Sequence, residues 1–182
     1  MPRNPLDIDS VIQCHECPTL GEDQVPSEGD PNADIMIIGR DPGATEVELR
    51  RPFVGPCGEI VNYVLDEAGL DRTDIYITNA VKCHTPSNRG PHPEEIRMCA
   101  RQWLYREIEL VKPRVLVTLG KDAQHAVFHA TAFKHLGLIK GKNRIAIMAW
   151  HPSYALRRGI MQEYVPALGA LIKQCLTDTK EQ

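Results

Sequence analysis

The sequence predicts an α/β fold, a three-layer sandwich in which helices cover both faces of a four-stranded parallel sheet. Four short apolar runs typical of buried strands recur along the chain, and amphipathic stretches with helical spacing separate them. Strands that alternate with helices favour a parallel sheet with right-handed crossovers. At 182 residues with 42% hydrophobic content, the chain is long enough for one cored domain, and we expect a single domain over residues 1–182.

The predicted strands are short apolar segments, and a turn or a glycine follows most of them. The first is followed by the turn Gly39-Arg40-Asp41-Pro42-Gly43, and the third is stopped by Gly120. The fourth ends at His151. The four predicted strands are Ile35 to Ile38, Ile75 to Val81, Val115 to Leu119 and Ile145 to Trp150.

The predicted helices show apolar residues at helical spacing. One follows Gly58 and stops at Gly69, and another begins near Pro93 and places one apolar stripe from residue 96 to residue 111. Two more are expected at Lys121 to Ala130 and at Val165 to Leu176. Residues 1–33 are rich in Pro, Asp, Glu and Gly, and they are expected to form a short helix or turn that contains Cys14 and Cys17, followed by an extended arm that leads into the first strand.

Charge and composition limit the possible functions. The formal net charge of -3 and a pI near 6.2 give no global attraction to nucleic acid, so any affinity for DNA must come from local basic patches. No apolar run approaches the ~18 residues of a membrane span, and the N-terminus lacks an apolar signal core. We therefore expect a cytoplasmic protein that does not bind membranes, in which six cysteines favour metal ligation or chemistry over disulfides.

Polar residues end three of the predicted strands: Asp41, Asn79 and His151. Each alone is typical of a turn or a cap. Because the carboxyl ends of parallel strands lie along one edge, we expect all three at a common site. Phe53 lies between Pro52 and Gly55 on a rigid loop, where it is poorly placed to fill a core and well placed to stack on a flat ligand. Such a set suits a heterocyclic base extruded from a duplex.

Three stretches resemble one known family: GRDPGATEVELRRPFVGPCG, YITNAVKCHTPSNRGPHPEEIRMC and HPSYALR. Over almost its whole length, the chain is similar to the iron-sulfur uracil-DNA glycosylases of the family-4 type. The resemblance implies that Phe53 stacks on the base, that Asn79 pairs with the pyrimidine edge, and that His151 donates to the base O2. It also implies a four-stranded parallel sheet flanked by helices, and action on DNA.

The cysteines agree with this resemblance. Cys14, Cys17, Cys83 and Cys99 match the family's four ligands of a [4Fe-4S] cluster, and residues 1–33 would be the cluster-binding arm. Their spacing alone would suit zinc equally well. The other two cysteines, Cys57 and Cys175, are assigned to packing.

The first motif departs from the family. Where the family has Gly-Glu-Ala-Pro-Gly, this chain has Arg40 and Asp41 between the first glycine and the proline. Asp41 thereby resembles the Asp of the Gly-Gln-Asp-Pro-Tyr motif in family-1 enzymes, where it orients the attacking water, so we assign it as the catalytic carboxylate. Glu46 is the alternative water-orienting group, or a group that excludes substituents at C5 of the base, or a solvated loop acid. Arg40 and Arg50 are expected to face the base.

The remaining site residues are assigned by position in these motifs. Gly39, Arg40 and Gly43 are expected in the base pocket. For DNA contact, Ser153 is expected to hold a phosphate and the segment from Tyr154 to Leu156 to wedge into the base stack. Arg89, Arg157 and Arg158 are candidate contacts to the DNA backbone. The segment from Gly137 to Asn143 lacks the spacing of a phosphate loop, and we assign it no function.

The identity of the base stays open. Uracil is the default that the resemblance implies, with a role in base excision repair. The chain has Gly43 where the most selective family places a Tyr against a C5 substituent, so a 5-modified pyrimidine is an alternative, such as hydroxymethylated or glucosylated cytosine in phage DNA, with a role in antiviral defence. A third possibility is an iron-sulfur DNA-binding protein without hydrolytic activity. We expect the protein to act as a monomer on DNA that contains uracil or a modified pyrimidine.

Overall fold

A six-stranded mixed sheet forms the centre of the molecule. The computed structural model describes residues 11–17, 20, 23–129 and 132–180, so residues 1–10, 18–19 and 21–22 of the expected arm lie outside the described residues. The strand order is β1-β3-β2-β4-β6-β5. The strands are β1 (Glu28–Gly29), β2 (Ile35–Gly39), β3 (Tyr76–Asn79), β4 (Val115–Leu119), β5 (Gly137–Lys140) and β6 (Ile145–Ala149).

The four predicted strands form the parallel centre of this sheet. β3, β2, β4 and β6 pair in parallel, in a register that places Gly39 beside Asn79. The α/β class is thus confirmed, whereas the expected count of four strands is too low. β1 and β5 pair antiparallel at the two edges. β5 lies within the segment to which no function was assigned, and of its residues only Gly137 is buried, so it lacks the apolar pattern of a strand.

Seven α-helices lie with their full length in the described ranges, and most of the predicted apolar stripes fall on them. The predicted helix after Pro93 is interrupted by a π-helical segment, Ala100–Leu104. The helices are α1 (Ala44–Leu49), α2 (Pro56–Ala68), α3 (Pro93–Cys99), α4 (Tyr105–Val111), α5 (Lys121–Phe128), α6 (Pro152–Arg158) and α7 (Met161–Lys180). None of the helices in the described ranges combines the length and the apolar character needed to cross a membrane.

Both faces of the sheet are buried, because alternate residues of each central strand enter different cores. Ile35 and Ile37 of β2 pack with α2 and α7, whereas Met36 and Ile38 pack with α3, α4 and α5. This arrangement is the helix-sheet-helix sandwich that the sequence predicts. It leaves the carboxyl ends of the parallel strands open at one edge, where the loops before α1 and α6 and the segment that contains Phe53 meet.

Candidate functional site

A cavity of about 650 Å³ lies at the carboxyl ends of the four parallel strands. Each strand places a residue at or just after its end in the cavity wall: Asp41, Asn79, Leu119 and His151. The sequence predicts this convergence for Asp41, Asn79 and His151, and the structure adds Leu119. The other lining residues are Arg40, Pro42, Gly43, Glu46, Phe53, Cys57, Asn88, Gly120, Lys121, Asp122, Ser153, Tyr154 and Arg157.

Asn79 presents a buried amide to this cavity. The residue is 4% exposed, and its side chain forms no hydrogen bond with the described part of the chain. Its backbone is fixed by the parallel register with Gly39, and the next amide, that of Ala80, donates to the Gly39 carbonyl at 3.0 Å. Because the amide faces the cavity and makes no hydrogen bond within the described ranges, it can exchange hydrogen bonds with a ligand.

Gly39 has no side chain and so leaves room for two groups of the expected base pocket, the Asn79 amide and the Phe53 ring. A Cβ atom there would lie 2.2 Å from Asn79 Oδ1 and 2.5 Å from Cζ of Phe53. The Phe53 ring also lies 6.3 Å from the His151 ring, centroid to centroid. The expectation that Phe53 is poorly placed to fill a core is wrong, because the residue is 5% exposed and packs in the core beside α2 while it lines the cavity.

Side chains on both sides hold the Phe53 loop through hydrogen bonds to its backbone. Glu46 Oε1 accepts from the amides of Val54 at 2.9 Å and Gly55 at 2.7 Å, and its Oε2 accepts from the Gly43 amide at 3.1 Å. On the other side, Arg72 donates to the Pro52 carbonyl. Phe53 itself has a φ of 51°, a left-handed conformation that costs a residue with a side chain about 1 to 2 kcal/mol. Glu46 therefore fixes this strained loop with one carboxylate oxygen and binds the N-cap of its own helix with the other.

His151 is neutral and has a defined tautomer. Its pKa is lowered to about 4, first by burial and then by the positive charges of Arg40 and Arg157. Nδ1 accepts from the Ser153 amide at 3.2 Å and lies 2.9 Å from the Ser153 hydroxyl. Because an accepting nitrogen has no hydrogen, the single ring proton is on Nε2, which makes no hydrogen bond within the described part of the chain.

Asp41 is a nearly buried carboxylate, since its side chain is 8% exposed. Its Oδ1 accepts from Arg40 Nε, and its Oδ2 lies 3.2 Å from the Thr85 hydroxyl, which also approaches the Arg89 carbonyl. The Asp41 charge is thus paired and oriented, and each oxygen keeps a second lone pair for a further donor. Sequence reasoning missed Thr85, whose type and loop position gave no signal.

The residues that are expected to contact DNA differ in their partners and exposure. Arg157 lines the cavity and has no carboxylate partner in the described ranges, whereas Arg89 forms a bidentate ion pair with Glu95 at 2.6 and 2.8 Å. The Ser153 hydroxyl lies within hydrogen-bond distance of His151 Nδ1, so it already has a partner inside the protein. Tyr154 packs on Trp150, and Leu156 is 51% exposed.

The expectation that Arg50 faces the base is not met. It is exposed at the C-terminal end of α1, in a left-handed conformation, and it does not line the cavity. The two arginines that do line it are Arg40 and Arg157. The position of Arg157 is set by α6, a short helix that the sequence pattern did not predict.

The four cysteines expected as ligands surround a second, smaller cavity. Burial raises the pKa of the Cys83 thiol to about 12, and its interactions with Cys99, Cys14 and Cys17 raise this pKa further. The arm reaches this cavity by pairing with the segment after β3, where Gln24 pairs with Cys83 and also donates to the Cys14 carbonyl at 2.9 Å.

The four cysteines line one cavity but do not form a single-ion site. No three His, Cys, Asp or Glu side chains of the described residues lie close enough to hold a single metal ion. A tetrahedral zinc site gathers its thiolates around one ion, whereas in a four-iron cluster each thiolate binds a different iron. Four cysteines around one cavity are the donor set that such a cluster uses. Of the other cysteines, Cys175 is buried in the core, whereas Cys57 lines the cavity at the strand ends.

Comparison with known proteins agrees with this geometry. Residues 26–170 match the family model of the uracil DNA glycosylase superfamily. The chain is 37% identical to a type-4 uracil-DNA glycosylase of Pyrobaculum aerophilum, an alignment that covers 81% of this chain and 82% of the relative. It is 32% identical to the type-4 enzyme of Saccharolobus solfataricus over 97% of this chain and 84% of the relative. A type-5 uracil-DNA glycosylase of P. aerophilum is 33% identical, with 84% of each chain covered. The chain therefore belongs to the uracil DNA glycosylase superfamily.

Proposed function

We propose that the protein hydrolyses the N-glycosidic bond of a pyrimidine flipped out of DNA and leaves an abasic site, with uracil as its substrate and base excision repair as its role. The observation that supports this most directly is the amide of Asn79, which has no hydrogen-bond partner among the described residues and lines a cavity with the Phe53 ring and the His151 imidazole. A flipped base needs a stacking surface and hydrogen bonds to its edge, and these groups supply both.

His151 would stabilise the leaving base. Breaking the glycosidic bond places negative charge on the base and positive charge on the sugar. The neutral ring of His151 has its proton on Nε2, so it can donate a hydrogen bond to the developing charge at the base O2. Arg40 and Arg157, whose charges also act on His151, would add to this stabilisation. The proton stays on the ring, because the leaving base is a much weaker base than is needed to remove it.

Asp41 would orient the attacking water and offset positive charge on the sugar. It lines the cavity with paired oxygens that each have capacity for one more donor. Glu46 is the less suitable group, because its carboxylate already accepts from three backbone amides of the loops around it. We therefore assign Glu46 to the position of the Phe53 loop and Asp41 to the chemistry.

The DNA backbone would be held beside this cavity. Arg157 is the best placed phosphate ligand, because it lines the cavity and has no carboxylate partner in the described ranges. Leu156, exposed on the same helix, would fill the space that the flipped base leaves in the stack. Arg89 is a weaker candidate than its sequence position indicates, because both its terminal nitrogens bind Glu95.

Cys14, Cys17, Cys83 and Cys99 would hold a [4Fe-4S] cluster. They line one cavity, and the similarity to type-4 uracil-DNA glycosylases supports a cluster there rather than zinc. When bound, the cluster would supply a rigid covalent link rather than a step in hydrolysis. The four cysteines would thereby tie the arm to the segment after β3 and to α3, and so stabilise one wall of the base cavity.

A 5-modified pyrimidine is a second candidate substrate. Gly43 lines the cavity without a side chain, so the cavity wall leaves room there for a substituent on the base. Arg40 and Arg157 offer donors to polar additions on the base. A hydroxymethylated or glucosylated cytosine would fit this description, and the biological role would then be defence against phage.

The experiment that separates these possibilities is a panel of otherwise identical duplexes. They carry uracil, thymine, 5-hydroxymethylcytosine or its glucosylated form at one position, and abasic sites are scored by alkaline cleavage. We expect release of uracil by the wild-type protein and loss of release in Asn79→Ala. Release from a 5-modified duplex, but not from the uracil duplex, would replace the repair role with the second candidate. Binding without release from any duplex would indicate a non-catalytic DNA-binding protein.

A further inference from the structure

Lys82 is a buried cation for which the proposed chemistry has no use. It is 1% exposed, and its ammonium lies 2.8 Å from Glu107 Oε2, 3.0 Å from the Asn79 carbonyl and 3.3 Å from the Ser27 hydroxyl. The Thr78 hydroxyl is a further contact. Glu107 is fully buried and also accepts from Ser27 and Thr78. The pair is therefore fully satisfied within the described part of the chain.

The main chain of Lys82 is fixed independently of its side chain. Its amide donates to Cys99 Sγ at 3.2 Å, and its carbonyl accepts from the Val25 amide at 2.8 Å. The backbone is thus anchored to the cysteine cavity and to the arm. From this anchor the side chain extends back to the end of β3, where its ammonium binds the carbonyl of Asn79.

Stability alone does not explain this arrangement. A buried ion pair generally contributes no more to folding than apolar side chains of the same volume would, because both charges must be desolvated. A pair of this kind is better explained by the geometry that it imposes. Here the carbonyl that Lys82 binds and the amide that faces the cavity belong to one residue, Asn79.

We propose that Lys82 is a positioning residue that holds the Asn79 carbonyl and thereby sets the direction in which the Asn79 amide meets the base. The inference rests on the proposed function, since it assumes that Asn79 recognises a flipped pyrimidine. Register with Gly39 fixes the strand end on one side, and Lys82 fixes it from within the core. Small displacements of such a group can reduce rates by up to about 10²-fold.

The test is a double variant, Lys82→Met together with Glu107→Leu, which removes both charges and leaves no unpaired charge in the core. Affinity is measured for two duplexes. One carries 2′-fluoro-deoxyuridine, whose glycosidic bond resists cleavage, and the other carries an abasic analogue at the same position. The ratio of the two affinities isolates the contribution of the base. We expect this ratio to fall about tenfold in the double variant, with little change for the abasic duplex.

Two controls separate positioning from general damage. Ile172→Ala removes a fully buried side chain from the core on the other face of the sheet, so it lowers the melting temperature without contact to Asn79, and its affinity ratio should stay at the wild-type value. In an Asn79→Ala background, the double substitution should lower the ratio by less than about twofold, because the group on which it acts is absent.

An unchanged ratio in the double variant, or an equal loss for both duplexes, would overturn the inference and leave the proposed function in place. If the double substitution lowers the affinity ratio equally in the wild-type and Asn79→Ala backgrounds, the inference is also overturned, because Lys82 would then not act through Asn79. A wild-type protein that binds both duplexes equally would contradict the proposed function itself, and the inference with it.

Discussion

The backbone amide of Ser153 donates to Nδ1 of His151 at 3.2 Å, which leaves the ring proton of His151 on Nε2, the nitrogen that has no hydrogen bond within the described residues. The local sequence produces this contact. His151 is the N-cap of α6 and Pro152 occupies the first turn of that helix, so the amide of Ser153 points back at the ring. One short helix therefore sets the tautomer of the group that faces the base cavity.

The first prediction concerns the titration of His151. We expect its ring to titrate near pH 4 by nitrogen-detected NMR, because burial and the charges of Arg40 and Arg157 lower its pKa. Arg157→Gln should move this pKa upward, towards the ordinary 6.5. An unchanged pKa in that variant would show that the Arg157 charge does not reach the ring.

The same pKa has a consequence for stability. Between about pH 4 and 6.5 the unfolded chain binds a proton at His151 that the folded chain does not bind. The contribution of the neutral ring to the free energy of unfolding is therefore complete above pH 6.5 and is lost as the pH falls towards 4. His151→Gln should flatten this part of the stability profile in chemical denaturation.

The second prediction concerns Gly39. Gly39→Ala places a methyl group 2.2 Å from Asn79 Oδ1 and 2.5 Å from the Phe53 ring, so at least one of these groups must move. We expect base release to fall by about 10² or more in single-turnover assays. Gly69→Ala is the matched control, since Gly69 has a φ of 71° and open space around it. It should lose about 1 kcal/mol of stability and retain the rate. Equal rates in wild type and Gly39→Ala would exclude a base pocket at this strand end.

The third prediction concerns the cysteines. Protein purified without oxygen should be brown and contain iron and sulfide in similar amounts, because Cys14, Cys17, Cys83 and Cys99 line one cavity. Cys83→Ser should lose both and unfold at a lower temperature, since the arm is then no longer tied to the segment after β3. Cys57→Ala should keep its full iron content, because Cys57 lines the other cavity. Zinc without sulfide would contradict the assignment.

Sequence patterns were sufficient to predict the strands and helices that are buried. The four central strands and the long amphipathic helices have apolar residues at regular spacing, and each appears close to its predicted range. α1 contains no buried residue and so shows no apolar stripe, and β5 buries only Gly137. Such elements are set by their neighbours in the folded chain and not by their own hydrophobicity.

The residues of the site could be predicted from the sequence better than the contacts between them. Asp41, Asn79 and His151 are strand-end residues, and strand ends converge in a parallel sheet. The local sequence could not show that the Glu46 carboxylate accepts hydrogen bonds from three backbone amides, or that the Lys82 ammonium binds the Asn79 carbonyl. These contacts join loops and strands through tertiary packing, which has no local signature.

The most direct test of the account is single-turnover release of uracil from a duplex that contains one uracil, measured for wild type, Asp41→Asn and Glu46→Gln. The wild-type protein should release free base. Asp41→Asn should bind the duplex normally and release base at least about 10² more slowly, as the loss of a positioned carboxylate typically produces. Glu46→Gln should mainly lose melting temperature and duplex affinity, because its amide can serve only some of the backbone donors around it. Normal release by Asp41→Asn together with an inactive but folded Glu46→Gln would contradict the assignment of Asp41, and absence of base release by the wild-type protein would contradict the proposed function.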